Sequence, residues 1–565
     1  MNTNKLVTGL VTFLGTIVVL VGIGWLGWQF IAPRLGVLNN QRENPNIVPF
    51  HVHFNVDPER LWIVQDGRRI TEGTPPLYHN GRVYLPLDFV RGYIDPFMHW
   101  DAGAQLLFVS TRYEMWSFRH GDIRVAEGVP FIPADMIMDM YYFSVDFQPA
   151  YNMIVVLDTR RAQTMAQAAN NTPVRYFPDI AAPMTARLGS YARVFIISEQ
   201  GAWTRVRMGN GLLGYVLTQA LGIPQELTTT LEPPQRLDAR LDNFNPRQPN
   251  WDGGPINMVW DTSPNTNTPL PEHLTAISPT WFRFDVETRG IVSTANAAFV
   301  EWAQEQGVQV WPNVTDVYAD PGIGDILQDM TARRRIIDQL AYYVATLNLD
   351  GLSINIEALW FHRYGSYYVQ FMRELNLALG HDIIIVAAMK VDPFINPHYR
   401  HDLIAKTVDF VALMTYDEHY GGSPEPGPTA SLPWVERQLT MILRMVNPDQ
   451  LLMGLPFYNR VWRTAIGDNT RRPMLNWNMD WTAEVIYNRN LTPEWNEAWG
   501  LYYTEFVAVV NGETLRHQLW MECPRSIGQK MQLFNYFNLA GVAGWSLGFT
   551  NDAVWDVLAH YFPVR

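Results

Sequence analysis

The 565-residue chain holds a single cysteine, Cys523, so no disulfide can form within it. A lone thiol ordinarily suits a reducing compartment. Basic residues are too few to balance the acidic ones, and the formal net charge is −13. That balance excludes the basic face a phosphate backbone requires, so no nucleic-acid partner is expected. No His/Cys cluster at ligand spacing appears, and no glycine-rich fingerprint follows an early strand of the long C-terminal stretch. Neither a metal nor any other cofactor is therefore expected. Charge is absent throughout residues 6–33, and about 20 apolar residues span a bilayer. The apolar core of a cleaved signal peptide is shorter, about 7–15 residues. The run predicts a single-pass signal anchor in the cell membrane with the C-terminal domains extracytoplasmic. This overrides the inference from cysteine.

What remains is globular in composition, with 47% hydrophobic and 17% charged residues. So long a chain exceeds one hydrophobic core and predicts about three or four domains. The 21 Trp and 25 Tyr supply flat faces on which sugars stack, although the first expectation for any single Trp is that it fills a large core.

After a polar linker, residues 48–158 read as short strands and turns in two related halves. Each half passes from an entry strand with an internal proline (Leu85-Pro86, Ile132-Pro133) through a short helix to an apolar exit strand. The pattern resembles the small α+β domain at the N-terminus of copper amine oxidases, reused as a stalk in bacterial surface proteins. A spacer without copper chemistry is implied. Residues 172–222 carry Trp203, an alternating Thr204-Arg205-Val206-Arg207 strand and a closing Gly214-Tyr215-Val216. These resemble a bacterial SH3-type domain, a module that binds cell-wall peptide or glycan or serves as a rigid spacer. Residues 223–254, with Pro233-Pro234 and Asn245-Pro246, read as a linker.

From residue 255 to 565, strands alternate with helices. Strands are expected at 256–260, 273–284, 308–314, 351–357, 383–389, 410–414, 451–455 and 542–547. Eight such units predict an α/β fold closed into a (β/α)8 barrel. The fourth strand reads Asp350-Gly-Leu-Ser-Ile-Asn-Ile-Glu357. Strand side chains alternate, so Ser353, Asn355 and Glu357 share one face while Leu352, Ile354 and Ile356 share the other. The aliphatic face packs on the helices. The polar face enters the lumen, with Glu357 uppermost at the C-terminal end where barrel active sites form. Burying a carboxylate there without partners would be costly, which points to function.

Four strand ends carry motifs in order: Asp350 to Glu357, Met414-Thr-Tyr416-Asp417, Gly454-Leu-Pro456-Phe-Tyr458 and Gly544-Trp545-Ser546. Over about 300 residues they resemble glycoside hydrolase family 18, a fit of motifs to strand ends. The segment 415–436 is similar to its spore germination and cell-wall N-acetylglucosaminidase branch. The resemblance implies substrate-assisted, retaining hydrolysis beside N-acetylglucosamine. Glu357 would be the general acid. Tyr416 would bond the acetamido oxygen, Asp417 a sugar hydroxyl, and Trp545 would floor the site. Met414, Tyr458, Trp281 and Ser353 are further substrate-binding candidates, and Trp311, Trp360 and Trp462 are candidate rim aromatics.

One departure matters. The family carries Asp two residues before the acid, where this chain has Asn355. Asn355 still accepts an N–H bond but brings no negative charge, and it cannot raise the proton affinity of Glu357 by repulsion. The lost charge would cost on the order of 10²–10³ in rate. Two readings therefore stand. One is a membrane-anchored glycosidase acting as a monomer on peptidoglycan or a chitin-like polymer. The other is a non-catalytic glycan-binding, cell-wall or spore structural protein on the same barrel.

Overall fold

The computed structural model describes residues 44–562 apart from 50, 53–54, 112, 161–162, 228–250, 252, 317–321 and 360–361. The apolar run 6–33 lies outside them. Among the described residues no helix is long and apolar enough to cross a membrane. The expectation of a single-pass membrane protein is accordingly corrected: no described helix supports it.

Two compact units are present, Met1–Ile94 with Gly121–Asp238, and Asp95–His120 with Ala239–Arg565. In the first, Trp62–Gln65 pairs parallel with Met153–Asp158 inside a four-stranded sheet. A second four-stranded sheet joins Arg82–Pro86 to Val129–Pro133. Short helices, Leu87–Tyr93 and Ala134–Met140, start directly after those prolines, whose fixed φ suits a helix entry. Seven antiparallel strands between Gln163 and Leu227 form the remaining sheet. Its valines Val174, Val194, Val206 and Val216 share one core with Trp62, Val64 and Val155.

The second unit is a closed barrel of eight parallel strands. They are β1 (Ile256–Asp261), β2 (Ala276–Pro279), β3 (Asn313–Thr315, preceded by Gln309–Val310), β4 (Gly351–Asn355), β5 (Ile384–Lys390), β6 (Phe410–Met414), β7 (Leu451–Pro456) and β8 (Gly541–Trp545). β8 pairs with both β7 and β1, which closes the cylinder. Strand alternation divides the aliphatic residues between two cores. Met258, Trp260, Val386, Ala388, Ala412 and Ala543 fill the lumen. Val259, Leu352, Ile354, Ala387, Val411 and Val542 pack outward with the helices. The barrel closes where Gly541 meets β1, since a Cβ there would lie 2.1 Å from the Ile256 carbonyl oxygen. Gly541→Ala is expected to destabilise the unit by about 1–3 kcal/mol or more, as overpacking does. Urea unfolding followed by tryptophan fluorescence checks this.

Two features of this unit were not anticipated from sequence. Between β7 and the helix Pro524–Phe537, residues 459–521 build a five-stranded antiparallel sheet with a helix, Met479–Asn488. Residues 95–120, which fall within the sequence-derived 48–158 stretch, form a three-stranded sheet on the barrel side. Arg333 fastens it. Its guanidinium donates to Asp101 at 3.2 Å and to both Glu374 oxygens at 3.0 Å, in a fully buried cluster.

Candidate active site

β4 ends at Asn355, and Glu357 follows two residues later at the C-terminal mouth of the barrel. Leu352, Ile354 and Ile356 lie in the outer core. Ser353 faces the lumen, where its Oγ accepts from Trp260 Nε1 at 3.4 Å. Glu357 is only partly buried as a residue, yet its carboxyl is poorly solvated. Burial pushes its proton affinity above the usual carboxylate range. Lys390 and the Asn355 hydrogen bond oppose that shift, and Asp316 and Asp417 add to it. A carboxyl held in this way stays protonated at higher pH, as a general acid must.

Asn355 donates from Nδ2 to Glu357 Oε1 at 3.2 Å. Its Oδ1 is buried without a hydrogen-bond partner among the described residues. A buried amide oxygen left unbonded is costly, so this one is an open acceptor beside Glu357.

β6 delivers the next group. Met414 is its half-buried last residue, Tyr416 is buried, and Asp417 is exposed with a left-handed φ of 64°. Burial raises the phenol pKa of Tyr416 well above its ordinary value, so the hydroxyl remains a donor. Its ring stands edge-on to Tyr458 at 6.4 Å. Tyr458, just past β7, donates its hydroxyl to Asp417 Oδ1. Arg460 Nη2 donates to the same oxygen at 2.8 Å. Asp417 is thus held on one oxygen, and its second has no hydrogen-bond partner among the described residues. At the end of β8, half-buried Trp545 leans on Trp260 with ring centroids 5.9 Å apart.

The structure therefore gathers Asn355, Glu357, Met414, Tyr416, Asp417, Tyr458 and Trp545 at the ends of β4, β6, β7 and β8, whereas Ser353, the middle residue of β4, is corrected: it is fully buried in the lumen against Trp260 and offers no surface to a sugar. Trp281 is corrected. It is 4% exposed and edge-on to Phe299 in the outer core, because the chain bends after Pro279. It has no face to offer a sugar. Trp311 is likewise enclosed, between Trp251 and Phe410, and buried Trp462 donates to Gly427 O. Trp360 lies outside the described residues.

Four residues that the motifs did not reveal complete the site. Arg460 is one. Asp316, just past β3, accepts from the backbone N–H of Glu357 (3.0 and 3.1 Å) and of Ala358 (2.7 Å). Lys390, the last residue of β5, and Tyr399 each donate to the Glu357 carbonyl at 2.8 Å. A charged residue at a C-terminal strand end is the sequence signal for Asp316 and Lys390, but it does not name their partners. Among the described residues no group of three His, Cys, Asp or Glu could hold a metal ion.

Residues 284–549 match glycosyl hydrolases family 18. The chain is similar to the uncharacterized glycosylase YvbX of Bacillus subtilis, at 24% identity over 306 residues, 52% of this chain and 86% of that protein. It is also similar to the cortical fragment-lytic enzyme of the same organism, at 26% identity over 250 residues, 42% of this chain and 56% of that protein. Among solved structures, the Bacillus cereus spore cortex-lytic enzyme SleL shares the fold, with a TM-score of 0.50 and 16% identity. The match covers 55% of this chain and 75% of that one. A barrel with a poorly solvated carboxyl just past β4 and a family match across it carry one conclusion: residues 284–549 match the glycosyl hydrolases family 18 domain.

Proposed function

We propose that the chain hydrolyses β-1,4 bonds next to N-acetylglucosamine in peptidoglycan or a chitin-like polymer by substrate-assisted, retaining catalysis. The unpartnered Oδ1 of Asn355 beside Glu357 carries this reading. An acceptor at that place suits the N–H of an acetamido group, whose oxygen is then aimed at its own anomeric carbon.

The residues divide the work. The acetamido oxygen attacks the anomeric carbon as the glycosidic bond breaks. Glu357 gives its proton to the departing oxygen, leaving a cyclic oxazolinium and a carboxylate. Water, losing a proton to Glu357, then opens the ring and restores the acetamide with its configuration retained. Tyr416 donates to the attacking oxygen, and Asp417, steadied by Tyr458 and Arg460, accepts a sugar hydroxyl. Trp545 floors the site, with Met414 along its wall. The relatives named for cortex lysis support peptidoglycan as the polymer. The segments 48–158 and 172–222 would act as spacer and SH3-type module of a monomer.

A second reading, glycan binding without turnover, is favoured by Asn355 itself, which brings no charge to the cationic intermediate. Incubation of the full chain with purified peptidoglycan and with chitooligosaccharides separates the two. The first reading expects new reducing ends, and Asn355→Asp should increase their rate, by up to the order of 10²-fold. Binding without release by either protein would support the second.

A further inference from the structure

Glu357 sits past the end of β4, where no strand pairing fixes its peptide. Side chains from other elements do so instead. Asp316 takes the N–H groups of Glu357 and Ala358 on both its oxygens. Lys390 and Tyr399 donate to the Glu357 carbonyl from the opposite side of the same residue. Lys390 is in turn anchored where its own carbonyl meets His401 Nε2 at 2.8 Å. We propose that Asp316, Lys390 and Tyr399 are positioning residues for Glu357, and that Asp316 supplies from β3 the neighbouring carboxylate that β4 lacks at Asn355.

The chemistry follows from the donor and acceptor set. An ionised carboxylate accepts on both oxygens, whereas an amide at 316 would accept on one and carry no charge. The charged groups acting on Glu357 are Lys390 from β5, Asp316 from β3 and Asp417 from β6. Arg460 is engaged with Asp417. Asn355, Tyr399 and Tyr416 are neutral around it. Lys390 thus favours the ionised form of Glu357, and Asp316 the protonated form. The two together fix the geometry of the acid and tune its titration in opposite senses.

This inference rests on Glu357 being the acid of the proposed reaction, and the titration that decides it is read without substrate. The full chain is labelled with carboxyl-13C glutamate, and the Glu357 resonance is assigned by its loss in Glu357→Gln. Lys390→Met is expected to move the Glu357 midpoint up by about one pH unit, and Asp316→Asn to move it down by a similar amount. Lys390→Arg, keeping the charge, should restore the parent midpoint. Tyr399→Phe should leave the midpoint in place and lower kcat with KM unchanged. Should Asp316→Asn fail to fold, the two Lys390 variants decide alone. Unchanged midpoints in folded Lys390→Met and Asp316→Asn would overturn the proposal. Shifted midpoints in a protein that hydrolyses no glycan would retain the cradle and refute the hydrolase reading.

Discussion

Glu357→Gln is expected to lower turnover on N-acetylglucosamine polymers by about 10²–10⁴-fold, the usual worth of a positioned general acid. The glutamine keeps the shape of the side chain and its neighbours, so KM should change little. Stability should not fall, and the sign of its pH dependence is fixed. Burial holds the Glu357 carboxyl above its ordinary pKa, so the folded state binds its proton more tightly than the unfolded chain does. Its contribution is full below the ordinary carboxylate range and is lost as pH rises through the raised value. Glutamine carries no such dependence. The difference in melting temperature between variant and parent should therefore move in favour of the variant as pH rises. Calorimetry at several pH values, beside rates on chitooligosaccharides, checks both halves. A variant that loses activity and unfolds would point to a structural role for Glu357.

Arg333→Leu is expected to destabilise the barrel unit by about 3–5 kcal/mol. Arg333 is fully buried and donates to Glu374, Asp101 and the Leu327 carbonyl. Leucine would fill part of the space but leave two buried carboxylates facing each other without a cation. Arg334→Leu, one residue on and exposed, should stay within about 0.5 kcal/mol of the parent. Guanidinium unfolding of the pair measures the difference. The cluster joins residues 95–120 to the helices Met330–Leu347 and Gly365–Leu379, so its loss should also expose that three-stranded sheet to proteolysis.

The barrel was legible because its strands alternate. In β4 the period of two separates Ser353 and Asn355 from Leu352 and Ile354, and the two cores of the structure follow that division. The site was legible where motifs mark strand ends. It was not legible where a single charged residue does the work, as at Asp316 and Lys390. Their partners are backbone groups of Glu357, distant in sequence, and no local pattern announces such a bond. The inserted sheet had a signal that went unused. Asn511-Gly512, both with positive φ, links Leu501–Val510 to Glu513–Met521, with Val510 opposite Glu513. An Asn-Gly pair between apolar runs is a strong hairpin marker. Trp281 was misplaced because the expected strand 273–284 is broken. Its two pieces, Ala276–Pro279 and Phe282–Asp285, flank a bend that turns the indole into the outer core. Apolarity of 6–33 predicted a span, and no helix among the described residues carries that prediction further.

The most direct test of the central claim is the anomeric configuration of the first product. Chitooligosaccharide or de-capped peptidoglycan strands are mixed with the full chain and followed by proton NMR before mutarotation. Substrate-assisted catalysis by Glu357 and Asn355 predicts that the new reducing end appears first as the β-anomer. An α-anomer first, or no new reducing end from either polymer, would contradict it.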